Sequence, residues 1–258
     1  AFYSSWGEGV DISAPGGDTR VPDGGILQDT VAPGGHAFQA FQGTSMASPH
    51  VAGAAAVLWR AAGGDADVVA DALQSSATDL GAKGFDPEYG HGRLDIRRAV
   101  LRLAVRHQGL LFAIGGVTAF LLAGLGVAGP RRPRRVMVTA LSGALTAGGA
   151  FFLPLLPLPP SQLVAILSKP LLLWPSVLVP DALASNPLVL SALIPVALTL
   201  VLGPTRLLGP IVAGVCAGVA THMLVGAMVG GLTVWPLAGA TSTIWLVLNG
   251  AIALMCAV

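Results

Sequence analysis

The sequence predicts an α/β segment over about 1–95, followed by an all-α, membrane-like region from about 108 onward. Three observations carry that division. Twelve of the thirteen acidic residues stand at or before Asp95, and only Asp181 lies beyond it. Stretches 109–129, 136–157, 187–203, 207–230 and 236–258 are apolar, each near the length of about 20 residues that a bilayer crossing takes. The early portion instead breaks short apolar runs with Gly, Pro and Asp, as strands, turns and one-sided helices do. Over the whole chain only 10% of the 258 residues are charged, against about a quarter in an average soluble domain.

Taken in order, Ser4-Ser5-Trp6-Gly7 reads as a turn, Val10-Asp11-Ile12-Ser13 as a short strand and Ala14-Pro15-Gly16 as its stop. Residues 17–35 are rich in Gly, Asp and Pro and are expected to form an exposed loop, with Ile26 to Val31 and Ala37 to Gln42 as the arms of a hairpin. Such a loop either touches ligand or is a tolerated surface insertion. Gly43 permits a tight turn into a helix over about Ser45 to Ala61, with Pro49 placed in its first turn and Gly63-Gly64 closing it. Asp65 is the expected cap of a second helix over 66–76, in which Val68, Val69, Ala72 and Leu73 keep helical spacing. Residues 96–107 are a basic amphipathic linker helix, with Arg98, Arg102 and Arg106 on one face and Ile96, Val100 and Leu103 on another. It suits headgroup contact as well as the outer face of the preceding domain.

The chemistry concentrates in Gly43-Thr44-Ser45-Met46-Ala47-Ser48-Pro49-His50-Val51-Ala52-Gly53. Gly-Thr-Ser ahead of an alanine-rich helix is by itself an ordinary helix cap. The whole string, however, resembles the nucleophile motif of the subtilisin-like serine peptidases. Ser4-Ser5-x-Gly7, Ala14-Pro15-Gly16 and Tyr89-Gly90-x-Gly92 extend the resemblance over about 1–100. It implies the C-terminal part of a doubly wound, parallel-sheet peptidase domain. It also implies that Ser45 is a nucleophile whose backbone N–H serves as one oxyanion donor, with Gln42, Gly43, Thr44 and Met46 lining the substrate.

A serine needs a base, and the base an orienting partner. Asp11, His36 and Ser45 stand in the family's Asp, His, Ser order, yet their contexts are wrong. The family's acid sits in Asp-Ser/Thr-Gly and its base in His-Gly-Thr-His, both well upstream of the serine, as is its oxyanion asparagine. The chain opens at Ala1 with no initiator methionine, so a processed or truncated start is expected. The resulting expectation is a fragment of a membrane-anchored serine endopeptidase, inactive alone, whose partners are a peptide or protein substrate, the lipid bilayer and the missing N-terminal half of the peptidase domain. The alternative is a polytopic membrane protein whose peptidase-like portion is a non-catalytic binding or structural module.

No cofactor, metal or nucleic acid is expected: the acidic residues lack calcium-ligand spacing and no basic–aromatic pattern occurs. Cys216 and Cys256 read as small buried hydrophobes. In the apolar region the arginines at 131, 132, 134 and 135 mark a loop, since a charge in hydrocarbon costs about 2.5–3.5 kcal/mol on insertion scales. Short Arg-rich loops stay cytoplasmic, which places the peptidase portion on the non-cytoplasmic side and the Arg206 turn inside. Residues 161–186, broken by Lys169-Pro170, Pro175 and Pro180, are expected to be interfacial or re-entrant. Gly214-x3-Gly218, Gly226-x3-Gly230 and Ala144-x3-Gly148 suit close helix packing, and His222 suits a hydrogen bond to a neighbouring helix.

Overall fold

The structure is a computed structural model describing residues 1–59, 61–126, 132–159, 161–178, 186–229, 232–237 and 239–258. It is mostly helical, and the chain divides into two compact units, Ala1–Leu103 and Ala104–Val258.

In the first unit, β1 (Ile26–Ala32) and β2 (Gly35–Phe41) pair antiparallel from Ile26↔Phe41 to Ala32↔Gly35. They form the only sheet among the described residues, so the expected parallel sheet does not appear there. A single parallel bridge, Ser13↔Arg93, joins the antiparallel bridges Ile12↔Gly90 and Thr78↔Arg93 in tying the early turn to the closing turn. A parallel ladder needs neighbouring strands joined by crossovers, and here the short runs meet only through single bridges at Ser13, Thr78, Gly90 and Arg93. Helix α1 (Thr44–Trp59) packs on α2 (Ala66–Ser76) through Ala54, Leu58, Val69, Ala72 and Leu73, with Ala99 and Leu103 completing this small core. Asp65 caps α2, accepting from the N–H groups of Asp67 and Val68. At the closing turn the buried Asp86 accepts from Glu88, Tyr89 and Ala82 N–H groups.

Helix α3 (Ile96–Gly124) runs through the expected boundary between linker and first span. The switch from charged to apolar residues at 107–109 changes its surroundings but contains no helix breaker. The helix then stops short of the expected end at 129, and residues 127–131, which include Arg131, lie outside the described part. Helix α4 (Pro133–Gly148) ends nine residues before 157, at Gly149 with φ +69°, beyond which Pro154 and Pro157 cannot continue it. Short helices α5 (Gln162–Leu167) and α6 (Trp174–Leu178) occupy the proline-broken stretch, where residues 179–185 are again outside the described part. Helices α7 (Leu193–Leu202), α8 (Gly209–Val229) and α9 (Ala240–Met255) follow. Only α3 and α8 are long and apolar enough, by length and composition, to cross a membrane, among the described residues.

Within the second unit the glycines set the packing. Gly214 lies against Thr139 and Ser142, Gly218 against Gly143 and Thr146, and His222 Nδ1 stands 3.2 Å from the Ala147 carbonyl oxygen. Positions on α4 and α8 therefore rise together, and the two helices are parallel. Gly115, Gly116 and Ala119 meet Ala147, Ala144 and Gly143 in reverse order, making α3 antiparallel to α4. Pairings of Gly203 with Gly209 and of Gly250 with Met223 and Leu224, with Cys256 and Ala257 beside Val212 and Cys216, make α7 and α9 antiparallel to α8. The ends of α3, α7 and α9 thus gather with the starts of α4 and α8. Gly230 of the second glycine pair lies outside the described residues.

Candidate active site

Ser45 is the second residue of α1, and its side chain is exposed. The turn that delivers it depends on Gly43, whose φ of +146° disfavours any side chain. The Gly43 N–H donates to the Gly16 carbonyl at 2.8 Å, and the Gly43 carbonyl accepts from Met46 N–H at 3.0 Å. The N–H groups of Thr44 and Ser45 have no acceptor among the described residues, as the opening of a helix requires. Together with the helix dipole they favour negative charge beside the Ser45 hydroxyl.

The helix begins one residue earlier than the sequence reading had it, so Pro49 sits in the second turn. It has no N–H to offer the carbonyl of Ser45, four residues back, and its ring crowds that carbonyl. The first turn of α1 is thereby held by fewer internal bonds.

Around this turn, Gln42 accepts through Oε1 from the Thr19 N–H at 2.6 Å and the Thr19 hydroxyl at 2.9 Å, pinning the loop to the entrance of α1. Tyr3 donates its hydroxyl to the Gly17 carbonyl, and Gly16 packs against Tyr3 and Gly43. Beside Thr19, Arg20 forms a two-point pair with Asp18. Hydrogen bonds from the Arg20 guanidinium, then from its main-chain N–H, hold the Asp18 carboxyl at about 2, below its ordinary 3.8. The Arg20 guanidinium also lies 4.0 Å from the centre of the Phe2 ring. Thr44 is exposed, and Gln42, Gly43 and Met46 are half-buried. The roles of Thr19 and Tyr3 were not read from the sequence. Only the Pro15-Gly16 stop signalled that the chain turns back toward Gly43.

No side chain hydrogen-bonds to the Ser45 hydroxyl among the described residues. His36 pairs instead with Asp29 across the hairpin at 3.5 Å, both exposed. His50 Nδ1 stands 2.7 Å from the Met46 carbonyl oxygen within α1, and the His91 ring packs edge-on against Phe85. Asp11 contributes its main-chain carbonyl to His91 N–H. The structure therefore leaves the Ser45 hydroxyl exposed at the opening of α1 and keeps Asp11 and His36 in other contacts. No cluster of three or more His, Cys, Asp or Glu able to hold a metal occurs among the described residues.

Comparison with known proteins agrees with the motif. Residues 1–92 match the Subtilase family. The chain is 39% identical over 105 residues to a subtilisin of Bacillus pumilus, covering 38% of this chain and 32% of that protein. It is 31% identical over 137 residues to fervidolysin of Fervidobacterium pennivorans, covering 46% of this chain and 18% of that protein. An extracellular serine protease of Serratia marcescens is 48% identical over 59 residues, covering 22% of this chain and 6% of that protein. The chain thus spans about a third or less of the length of these curated relatives. No solved structure matches it. The likeness of the chain to the subtilase family thus lies in its N-terminal portion, residues 1–92.

Proposed function

We propose that the chain is the C-terminal part of a membrane-anchored subtilisin-like serine endopeptidase with Ser45 as its nucleophile. The observation that carries this is the exposed Ser45 hydroxyl at the opening of α1, beside unpaired N–H groups, inside the family-matched segment. Ser45 Oγ attacks the scissile carbonyl while a histidine supplied by an upstream portion takes its proton. The Ser45 N–H and an upstream asparagine hold the oxyanion. Collapse of the tetrahedral intermediate releases the amine with that proton and leaves an acyl-enzyme, which water hydrolyses. Gln42, Gly43, Thr44 and Met46 border the cleft, and the substrate is a peptide or protein. In this reading the chain alone is inactive, since Ser45 has no base within reach among the described residues.

Exposed apolar side chains support a covering portion of the same domain: Trp6, Leu27, Val31 and Phe38 are all more than two-thirds exposed, at 75%, 68%, 82% and 74%. Isolated soluble units rarely leave so much contiguous apolar surface to water. The apolar lengths of α3 and α8, with the arginines at one end of the second unit, support a membrane anchor whose Arg end is cytoplasmic and whose peptidase portion faces the other side.

The test is labelling of the full-length parent protein with a fluorophosphonate probe. Labelling is expected in the parent and lost in Ser45→Ala. Labelling that persists in the variant rejects Ser45, and a parent that never labels favours a peptidase-like module without catalysis.

A further inference from the structure

A cavity of about 360 Å³ opens at the end of the second unit where α4 and α8 begin and α7 and α9 finish. Arg135, Thr199, Gly209, Ala213, Cys256 and Val258 line it. Arg135 is half-buried, and its guanidinium reaches the first residue of α8, lying 3.7 Å from where a side chain at Gly209 would begin. Arg135 forms no ion pair and no side-chain hydrogen bond with any group among the described residues. Arg132 and Arg134 stand exposed on the opening turn of α4, and Arg206 is exposed in the turn between α7 and α8. The parallel pairing of α4 with α8 brings all four to the same end. No aspartate or glutamate occurs from residue 104 onward except Asp181, which is outside the described part.

Four guanidiniums gather at this end with no Asp or Glu side chain among the described residues of the second unit, and no ion pair joins Arg135 to Val258, which also lines the cavity. A surface charge in water needs no partner, but Arg135 is drawn into the cavity wall, where desolvation makes an unmatched charge costly. Val212, Ala213 and Ala257 give part of the cavity wall an apolar character. A ligand with an anionic head and a hydrocarbon body fits both surfaces. Guanidinium matches phosphate oxygens in a forked, two-bond geometry, and basic pockets between spanning helices take phospholipid headgroups. We propose that this cavity binds the phosphate of an anionic phospholipid, with Arg135 as the direct ligand and Arg134 and Arg206 as its outer charges. The proposal rests on the membrane reading of the second unit.

The experiment reconstitutes the full 258-residue chain with phosphatidylglycerol or phosphatidylcholine, extracts it in mild detergent and measures retained lipid by native mass spectrometry. Phosphatidylglycerol is expected to be retained in preference, and Arg135→Gln to weaken that retention about tenfold, the worth of one charged hydrogen-bond pair. Ala213→Leu keeps every charge while filling the cavity and is expected to lose the lipid too, which guards against misfolding of the arginine variant. Equal retention of the two lipids, or retention unaffected by both variants, overturns the site. Displacement by millimolar inorganic phosphate shows a free-phosphate site and overturns the lipid assignment. Release of the chain from vesicles by alkaline carbonate overturns the membrane reading itself, separately from the headgroup result.

Discussion

Replacing Gly218 by Ala tests whether α4 and α8 are held at backbone distance. A Cβ at 218 would stand 2.6 Å from the Gly143 carbonyl oxygen and 2.6 Å from Thr146 Cβ, against an ordinary contact of 3.4 Å or more. The oxygen belongs to the α4 main chain and cannot swing aside, so the helices must part by a little under 1 Å in an interior that is otherwise close-packed. Overpacking of this kind costs about 1–3 kcal/mol, while Gly to Ala within a helix returns about 1 kcal/mol. The expected result is a net loss of up to about 2 kcal/mol, or up to about 8 °C of melting temperature for a unit of this size. Gly124→Ala in α3 is the control, because nothing lies within 4 Å of its new methyl group. That variant is expected to melt at or slightly above the unmodified chain. The assay follows helical ellipticity on heating the full chain in detergent micelles. A Gly218→Ala protein that melts as high as Gly124→Ala refutes the close approach and, with it, the parallel packing of α4 on α8.

Three further outcomes are expected. Asp86→Ala removes the acceptor of three main-chain N–H groups from a buried position and is expected to cost about 3 kcal/mol, read as faster proteolytic cutting within 80–92. Asp65→Ala removes the cap of α2 and is expected to cost about 1 kcal/mol, read as faster amide exchange in the first turn of that helix. Asp18 titrates at about 2 beside Arg20, and Arg20→Ala is expected to return it to near 3.8 in a carboxyl NMR titration. Since the folded value is the lower one, the pair's contribution is complete above pH 4 and fades as pH falls toward 2. Both groups are exposed, so the titration is the sensitive readout.

Local signals in the sequence carried well where one residue type settles one geometry. Asp65 before a 3.6-residue pattern placed α2 at 66–76, and the hairpin arms read at Ile26 to Val31 and Ala37 to Gln42 fall within two residues of β1 and β2. The composition break near 107 falls inside one continuous helix, α3, because a helix ends where its backbone bonds fail and not where its surroundings change. Apolar length overstated α4, α7 and α9: hydropathy cannot see that Gly149 adopts a positive φ, or that Pro195 and Gly239 mark helix starts. At the candidate site, the place of Ser45 at a helix opening was legible because the motif is contiguous. The clasp of Thr19 on Gln42 was not, since 23 residues separate them and neither belongs to a periodic pattern.

The hairpin has a consequence for anyone handling this polypeptide. Among the described residues β1 and β2 bond only to each other, so each carries an outer row of amides and carbonyls open to a third strand. Leu27, Val31 and Phe38 project from that ribbon into solvent, and neither proline nor lysine interrupts its arms to discourage stacking. Concentrated solutions should therefore gel or precipitate through this ribbon first, and a lysine at position 27 or 38 is the simplest way to keep the molecules apart.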